Sequence, residues 1–495
     1  MITGKNYIGN DLVANGKNTF KTFSPVLNDF NSWNFVEATD EEVKLAADNA
    51  WIAFNAFRKT TCDQRALFLE TIGDEIELLG DELIEVYILE SGLPEPRAIA
   101  ELTRTLFQLR SLATFLKENK SLFSVENNTK YFLRKKLIPL GPVVVFGASN
   151  FPFAYSTAGG DTASAFAAGC PVIVKSHPMH AGTSELVASV IIKAILYTGM
   201  PDGVFSNLNC ADYRVGTELV KNNYVKAVGF TGSIKGGRAI FDLANQREEP
   251  IPVFAEMGSI NPIVISEKSL VEKSDFWADK IGDSMLQSAG QFCTSPGVIL
   301  AINSPNLDTF SQKLVDKIEN SKSELMLGKS IKASFSDQKS NMIGHESTLV
   351  LTNTNANDSL FSEPTVLTTE GESFLTNKEL RQEVFGSFMI IVKCKNIEEL
   401  ETIVENLEGQ LTGTIICSLS ELESYSEVIE QLQYRVGRLI FNGVPTGVEV
   451  SQKMNHGGPY PASTDSRFTA VGSDAIFRWL RPICFQNIPD DLKLK

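Results

Sequence analysis

The stretch QSAGQFCTSPGV, Gln287 to Val298, sets one thiol, Cys293, among small and polar residues, where a helical pattern gives way to the apolar run VILAI. A cysteine is most often a small core hydrophobe, and that reading suits the other six in the chain. Cys293 differs in its neighbours, and an ionised thiol is a strong nucleophile. Glu256 follows the apolar run Ile251 to Ala255 and precedes Met257-Gly258. Its carboxylate is therefore expected to be partly desolvated, with the raised pKa of a general base. Asn150 stands before Phe151-Pro152 in GASNFPFA, where turn asparagines are common. In FTGSIKGGRAIF, Gly232 and Gly237 have P-loop spacing, but Arg238 replaces the required Lys and Ala239 the metal-holding Ser or Thr. A kinase or ATPase is disfavoured. Gly232 and Ser233 instead open a helix whose N–H groups can hold a pyrophosphate, or they form an ordinary tight βα turn.

The elements that must carry these residues follow from hydrophobic periodicity. After an extended start the first 125 residues read mostly as helix, beginning with Thr39 to Phe57 behind a Thr/Asp start signal. TKYFLRKKLIPLGP reads as a strand pair or extended arm. From Gly141 short apolar runs (PVVVFG, PVIVK, GVFSNL, VKAVGFTG, IPVFAEM) alternate with helical patterns. Thr183 to Tyr197 is the clearest helix, with Thr183 as N-cap and Gly199 and Pro201 as its stop. This alternation predicts a doubly wound parallel sheet. A second alternating block after Glu256 (NPIVIS, GVILAI, SFMIIVKC, LTGTIICS, GRLIFNG) carries Cys293. The Ser/Asn-rich run from Ser330 to Asp358 reads as a surface excursion, and QNIPDDLKLK as a polar tail or edge element.

Composition narrows the partners. A chain of 495 residues with 43% hydrophobic and 21% charged residues is an ordinary globular one. A formal net charge of −15 argues against nucleic acid or an anionic membrane as partner. The beginning MITGKNYIGNDLVANGK has no apolar core of signal-peptide length, and ELVASVIIKAIL is too short and interrupted to span a bilayer. The seven scattered cysteines include no CxxC pair and no zinc-spaced cluster. A cytoplasmic protein with reduced thiols and no metal is expected.

Five motifs occur in order: GASNFPFA, FTGS, FAEMGSINP, GQFCTSPG and QEVFGSF. Together they resemble the aldehyde dehydrogenase superfamily over nearly the full length. ESGLPEPRAIAELTRTLFQLR, KSHPMHAGTSE and QKMNHGGPYPASTD are most similar to its NADP-preferring branch, which contains α-ketoglutaric semialdehyde dehydrogenases and a fatty aldehyde dehydrogenase. The resemblance implies an α/β fold with a Rossmann-like cofactor domain, an α/β catalytic domain and a small oligomerisation element. It makes Cys293 the nucleophile, Glu256 the base for hydrolysis, and Asn150 with the Cys293 N–H the oxyanion donors. Lys175, Ser233 with Gly232, Glu383 and Phe385 become dinucleotide contacts. NAD-using relatives commonly carry a glutamate three residues after this lysine, where this chain has Pro178. Nothing there repels a 2′-phosphate, and Lys175, Ser176 and His177 offer donors, with Arg214 as a second phosphate partner. NADP is the expected cofactor, with NAD possible. His456, one of four histidines, is implied near the active site as a proton carrier; a loop histidine bonded to backbone is the alternative.

The expected boundaries are 1–127 and 141–256, with part of 444–475, for the cofactor domain. They are 257–443 for the catalytic domain, and 128–140 and 476–495 for the oligomerisation element. A homodimer or homotetramer is implied. The expected reaction is oxidation of a small-molecule aldehyde, 2,5-dioxopentanoate to 2-oxoglutarate. Phe151, Arg104 and Gln108 are the candidate substrate contacts, the last two sharing a helix face, and Arg104 could grip a carboxylate. A fatty aldehyde or a coenzyme-A-acylating reaction are the alternatives.

Overall fold

The computed structural model describes residues 1–120, 124–128, 132–353 and 359–489, and divides into two compact units. The first comprises Met1–Ala255, Val450–Met454 and Phe468–Lys495; the second comprises Glu256–Glu449 and Asn455–Arg467.

The first unit is built on a seven-stranded sheet. Its order is Val253–Glu256, Ala227–Thr231, Val143–Phe146, Val172–Lys175, Phe205–Leu208, Asn6–Ile8 and Asp11–Val13. The strands from Ala227–Thr231 to Phe205–Leu208 pair in parallel, and the two N-terminal strands add antiparallel at one edge. Order reverses beside Val143–Phe146, the switch point where such sheets bind ligands. The apolar runs become strands because both faces are covered, which continuous Val/Ile sequences require.

Helices Asp40–Phe57 and Cys62–Glu77 start at capping boxes, Thr39 with Glu42 and Thr61 with Gln64, each satisfying backbone N–H groups otherwise left without partners. Glu95–Glu118 follows Pro94. The helix expected from Thr183 spans Ala181–Thr198 instead, with His180 before its first turn. Thr183 is no cap: its N–H and hydroxyl both donate to the buried Glu90 carboxylate. Gly199 ends the helix in the left-handed region, as expected. Among the described residues it is the one helix long and apolar enough to cross a membrane, and 72% of it is buried inside the protein. The apolar run looked too short because the whole helix is longer than the run.

The second unit holds another seven-stranded sheet, ordered Leu349–Val350, Thr365–Glu370, Phe388–Cys394, Val298–Ile302, Ile263–Ile265, Gln410–Ile416 and Val436–Phe441. All pairs but the first are parallel. Thr365–Glu370 escaped sequence reading because three of its six residues are threonines, β-branched but polar. The expected excursion over Ser330–Asp358 is corrected. Lys329–Ile343 is a helix whose Phe335 is 0% exposed, with Met342 one face-repeat later also buried. Two apolar anchors suffice there, and the Ser/Lys-rich composition hid them. Residues 354–358 lie outside the described ones.

The arm appears as strand Phe132–Pro139, paired antiparallel with Ser124–Asn128 and with Leu480–Gln486 in a three-stranded sheet. Residues 129–131 of the arm and 490–495 of the tail lie outside the described residues.

Candidate active site

In the second unit, Cys293 stands in a four-residue turn closed by Ser295 N–H donating to Phe292 O (3.0 Å). The chain reaches it through three successive left-handed residues, Ser288, Ala289 and Gly290. Only Gly290 must be glycine, since a Cβ there would come 2.3 Å from the Gly386 carbonyl carbon. Two non-glycine residues at positive φ cost on the order of 1 kcal/mol each, a strain that recurs at functional sites.

Cys293 Sγ lies 3.7 Å from His456 Nε2, which lies 3.1 Å from Glu256 Oε2. His456 is 2% exposed and Glu256 6%. Glu256 ends strand Val253–Glu256, pairs in an antiparallel bridge with Ser463, and is followed by Met257 N–H donating to Ala462 O (2.8 Å). The segment carrying His456 is thus stitched to the backbone that carries the carboxylate. Thiol, imidazole and carboxylate, far apart in sequence, form one chain of contacts.

Glu383 and Phe385 line a small cavity with Ser259, Ile260, Pro296 and Phe292, the first residue of the Cys293 turn. Burial raises the Glu383 carboxyl to about 7, although the Ser259 N–H donates to it.

In the first unit, Lys175 ends the strand Val172–Lys175, and its Nζ donates to Cys210 O (2.6 Å). Burial lowers it to about 8, offset in part by Cys210, Asp212 and Glu37. Gly232 and Ser233 are exposed at the start of helix Ile234–Asn245, where Ser233 Oγ accepts from Gly236 N–H (3.1 Å). A Cβ on Gly232 would meet the Phe230 ring at 2.7 Å. An exposed helix N-terminus and a buried ammonium at a strand end, both on a doubly wound sheet, fit a dinucleotide.

Other expected contacts are differently engaged. Ser176 is 0% exposed and its hydroxyl donates to Asn209 Oδ1 (2.7 Å), so it offers nothing to a ligand. A serine following a strand-end lysine can face the sheet interior, and this one does. Arg214 binds Asp40 (2.6 Å) and Ala38 O (2.6 Å), an intramolecular use of its fork. His177 accepts from Met179 N–H at Nδ1 and is held well below the usual imidazole range by burial, His180 and Lys175. It is neutral there, with its one proton left for Nε2.

Asn150 is buried in the loop after Val143–Phe146. Ala148 N–H donates to Tyr155 O (2.8 Å), and the buried Glu101 carboxylate accepts from Phe153 N–H (2.8 Å) and Ala154 N–H (2.9 Å). Phe151 packs edge-on to Tyr155 with Arg97 over its ring (4.5 Å). Arg104 donates to the Tyr155 hydroxyl (3.0 Å). Gln108 is corrected as a substrate contact: its Nε2 donates to Gly472 O (3.3 Å) and its Oε1 accepts from Gly472 N–H (3.1 Å). Sharing a helix face with Arg104 left open what Gln108 faces, a backbone segment more than three hundred residues away in sequence. Glu101, Arg97 and Tyr155 were missed, although the first two sit one and two turns before Arg104 to Gln108 on the same helix.

A thiol beside an imidazole–carboxylate pair in one unit, and a doubly wound sheet with an exposed helix N-terminus in the other, fit a nucleotide-dependent oxidoreductase. The chain belongs to the aldehyde dehydrogenase family, whose model matches residues 12–474. It is 41% identical to "Alpha-ketoglutaric semialdehyde dehydrogenase 2" of Azospirillum brasilense, covering 99% of this chain and 95% of that protein. It is 40% identical to an α-ketoglutaric semialdehyde dehydrogenase of Acinetobacter baylyi, at 99% and 96% coverage. Its fold matches apo betaine aldehyde dehydrogenase of Staphylococcus aureus with a TM-score of 0.85 at 19% identity, over 100% of this chain and 97% of that one.

Proposed function

We propose that this aldehyde dehydrogenase oxidises 2,5-dioxopentanoate to 2-oxoglutarate, with NADP as its preferred acceptor, through a thioester on Cys293. The contact chain from Sγ to His456 Nε2 to Glu256 Oε2 carries the chemistry. The two relatives near 40% identity over almost the whole chain carry the substrate.

An aldehyde does not readily lose hydride. Attack by the Cys293 thiolate forms an S–C bond and an alkoxide whose lone pair expels the hydride, leaving a thioester. A dinucleotide bound there would supply the hydride acceptor. The backbone N–H of Cys293 stabilises the alkoxide, and the family resemblance gives the Asn150 side-chain amide the role of second donor; one such donor is typically worth ~3 to 4 kcal/mol. Glu256 then takes a proton from water, which attacks the thioester carbon; the adduct breaks its C–S bond to give thiolate and the carboxylic acid, which loses its own proton to solvent. His456 Nε2 holds one proton at most. With that proton it stands 3.1 Å from Glu256 Oε2; without it, it accepts from the thiol. It therefore passes a proton between nucleophile and base.

On the cofactor side, Lys175 would hold the adenosine ribose and the Gly232–Ser233 turn the pyrophosphate, and the family resemblance gives Glu383 and Phe385 the nicotinamide ribose. Pro178, with neutral His177 beside it, leaves the 2′-phosphate unopposed. Arg214 remains a phosphate partner only if it exchanges Asp40 for the ligand. Arg104 grips the distal carboxylate of the substrate, with Phe151 beside it. The chain works in the cytoplasm as a homodimer or homotetramer, built through the three-stranded sheet.

The test assays 2,5-dioxopentanoate and an uncharged aldehyde of similar length with each dinucleotide, in wild type and Arg104→Ala. The expected result is higher kcat/KM with NADP than with NAD. Arg104→Ala should raise KM about tenfold or more for the keto acid alone, the scale of a charge-assisted hydrogen bond. Equal losses on both substrates, or preference for long uncharged aldehydes, would replace the keto acid by a fatty aldehyde.

A further inference from the structure

Asn261 has no part in the chemistry above, yet its side chain is bonded directly to the backbone of the thiol. It is 0% exposed and left-handed (φ 44°), just before Pro262 and the strand Ile263–Ile265. Its Nδ2 donates to Cys293 O (2.9 Å) and Ser295 O (2.8 Å). Its Oδ1 accepts from Thr412 Oγ1 (2.8 Å) and shares the single proton of Ser259 Oγ (3.0 Å) with Gln410 Oε1 (2.9 Å from that hydroxyl). The amide cannot be reversed, because Oδ1 would then face two carbonyls that can only accept. Cys293 is the second residue of the turn Phe292–Ser295, already closed by Ser295 N–H to Phe292 O. Asn261 takes the carbonyls of the second and fourth residues, so the peptide planes following Cys293 and Ser295 are fixed from outside the turn. Gly297 N–H donating to Ile260 O (2.9 Å) ties the same two strands of chain together one step further on.

We infer that Asn261 is the positioning residue for the Cys293 thiol. It touches neither aldehyde nor dinucleotide; it holds the turn so that Sγ meets the carbonyl carbon at one geometry, beside His456. This rests on Cys293 being the nucleophile. The reason it matters is steep: a misplacement of about 1 Å at a reacting atom can cost about 100-fold in rate. Thr412 and Ser259 extend the hold by fixing the amide that fixes the turn.

The experiment compares two reactions of the same thiol in the full-length protein. One is the pre-steady-state burst of NADPH, which needs an oriented attack. The other is alkylation of Cys293 by iodoacetamide, a small mobile reagent that needs only an accessible thiolate. Asn261→Ala is expected to lower the burst rate constant by about 10- to 100-fold while alkylation stays within about twofold. Thr412→Val, which keeps the shape and removes one donor to Oδ1, should slow the burst by a smaller factor; it carries the test should Asn261→Ala fail to fold. A burst within about twofold of wild type in the folded variants overturns the inference. So does alkylation falling in step with the burst, because the turn has then collapsed and Asn261 is merely structural. A burst that survives Cys293→Ser refutes the nucleophile itself; a burst that requires Cys293 but ignores Asn261 refutes only the positioning role.

Discussion

His456 Nε2 faces two groups that compete for one proton, the Cys293 thiol at 3.7 Å and the Glu256 carboxylate at 3.1 Å. If Glu256 is needed only after hydride has left, Glu256→Gln should keep the NADPH burst and lower steady-state turnover by ~10²–10⁴-fold, the range of a general base. Stopped-flow absorbance at 340 nm separates the two phases, and a lost burst would assign Glu256 to thiol activation as well. Lys175 gives a pH forecast. Burial holds its ammonium at about 8 in the dinucleotide-free protein, so it is charged below that pH and neutral above it. A bound phosphate or ribose oxygen favours the charged form. NADP affinity should therefore be flat from pH 7 to about 8 and weaken above it, by up to about tenfold per pH unit. Calorimetric titration from pH 7 to 10 checks this, and Lys175→Met should remove the break.

At the scale of elements, the thiol owes its place to a short irregular stretch between a helix and a strand. Helix Glu267–Leu286 ends, three residues turn left-handed, and the chain enters Val298–Ile302 only after the Cys293 turn. Gly290 is the tightest point. A methyl group there would press on the Gly386 backbone and also take φ 69°, so Gly290→Ala should destabilise by about 2 kcal/mol or more. Urea denaturation measures the loss, and the burst rate should fall with it. The sequence motif QSAGQFCTSPGV marked this stretch, because small residues surrounded a thiol at a helix–strand junction. It could not mark Asn261, since asparagine before proline is common in turns and its partners Cys293, Ser295 and Thr412 lie 32, 34 and 151 positions away.

For the whole molecule, the three-stranded sheet of Ser124–Asn128, Phe132–Pro139 and Leu480–Gln486 is the assembly prediction. Among the described residues its outer strands pair on one side only, and a second copy can satisfy such an edge. Removing residues 480–495 should lower the mass seen by light scattering to that of a monomer, 54.4 kDa for the full chain. An unchanged oligomer would move the interface elsewhere. The same tail strand pairs with Leu133 through Pro139, so the truncated protein must also be checked for a cooperative unfolding transition.

Local sequence determined much of this protein. Apolar runs of four to seven residues became most of the parallel strands of both sheets, Thr365–Glu370 being an exception, because burial on both faces demands them. The ordered motifs carried Cys293, Glu256 and Asn150 into view. What sequence could not decide is what each polar side chain faces. Gln108 and Arg104 share a helix face, yet Gln108 is consumed by Gly472 while Arg104 meets Tyr155. Ser176 turns into the sheet interior against Asn209. The helix Lys329–Ile343 rests on Phe335 and Met342 within a polar stretch. A hydrogen bond is specified by two partners and a direction, and hydrophobic pattern by one residue and its period. Pattern is therefore written along the chain, whereas the contact of His456 with Cys293 and Glu256 exists only once 163 and 200 residues of intervening chain have been folded out of the way.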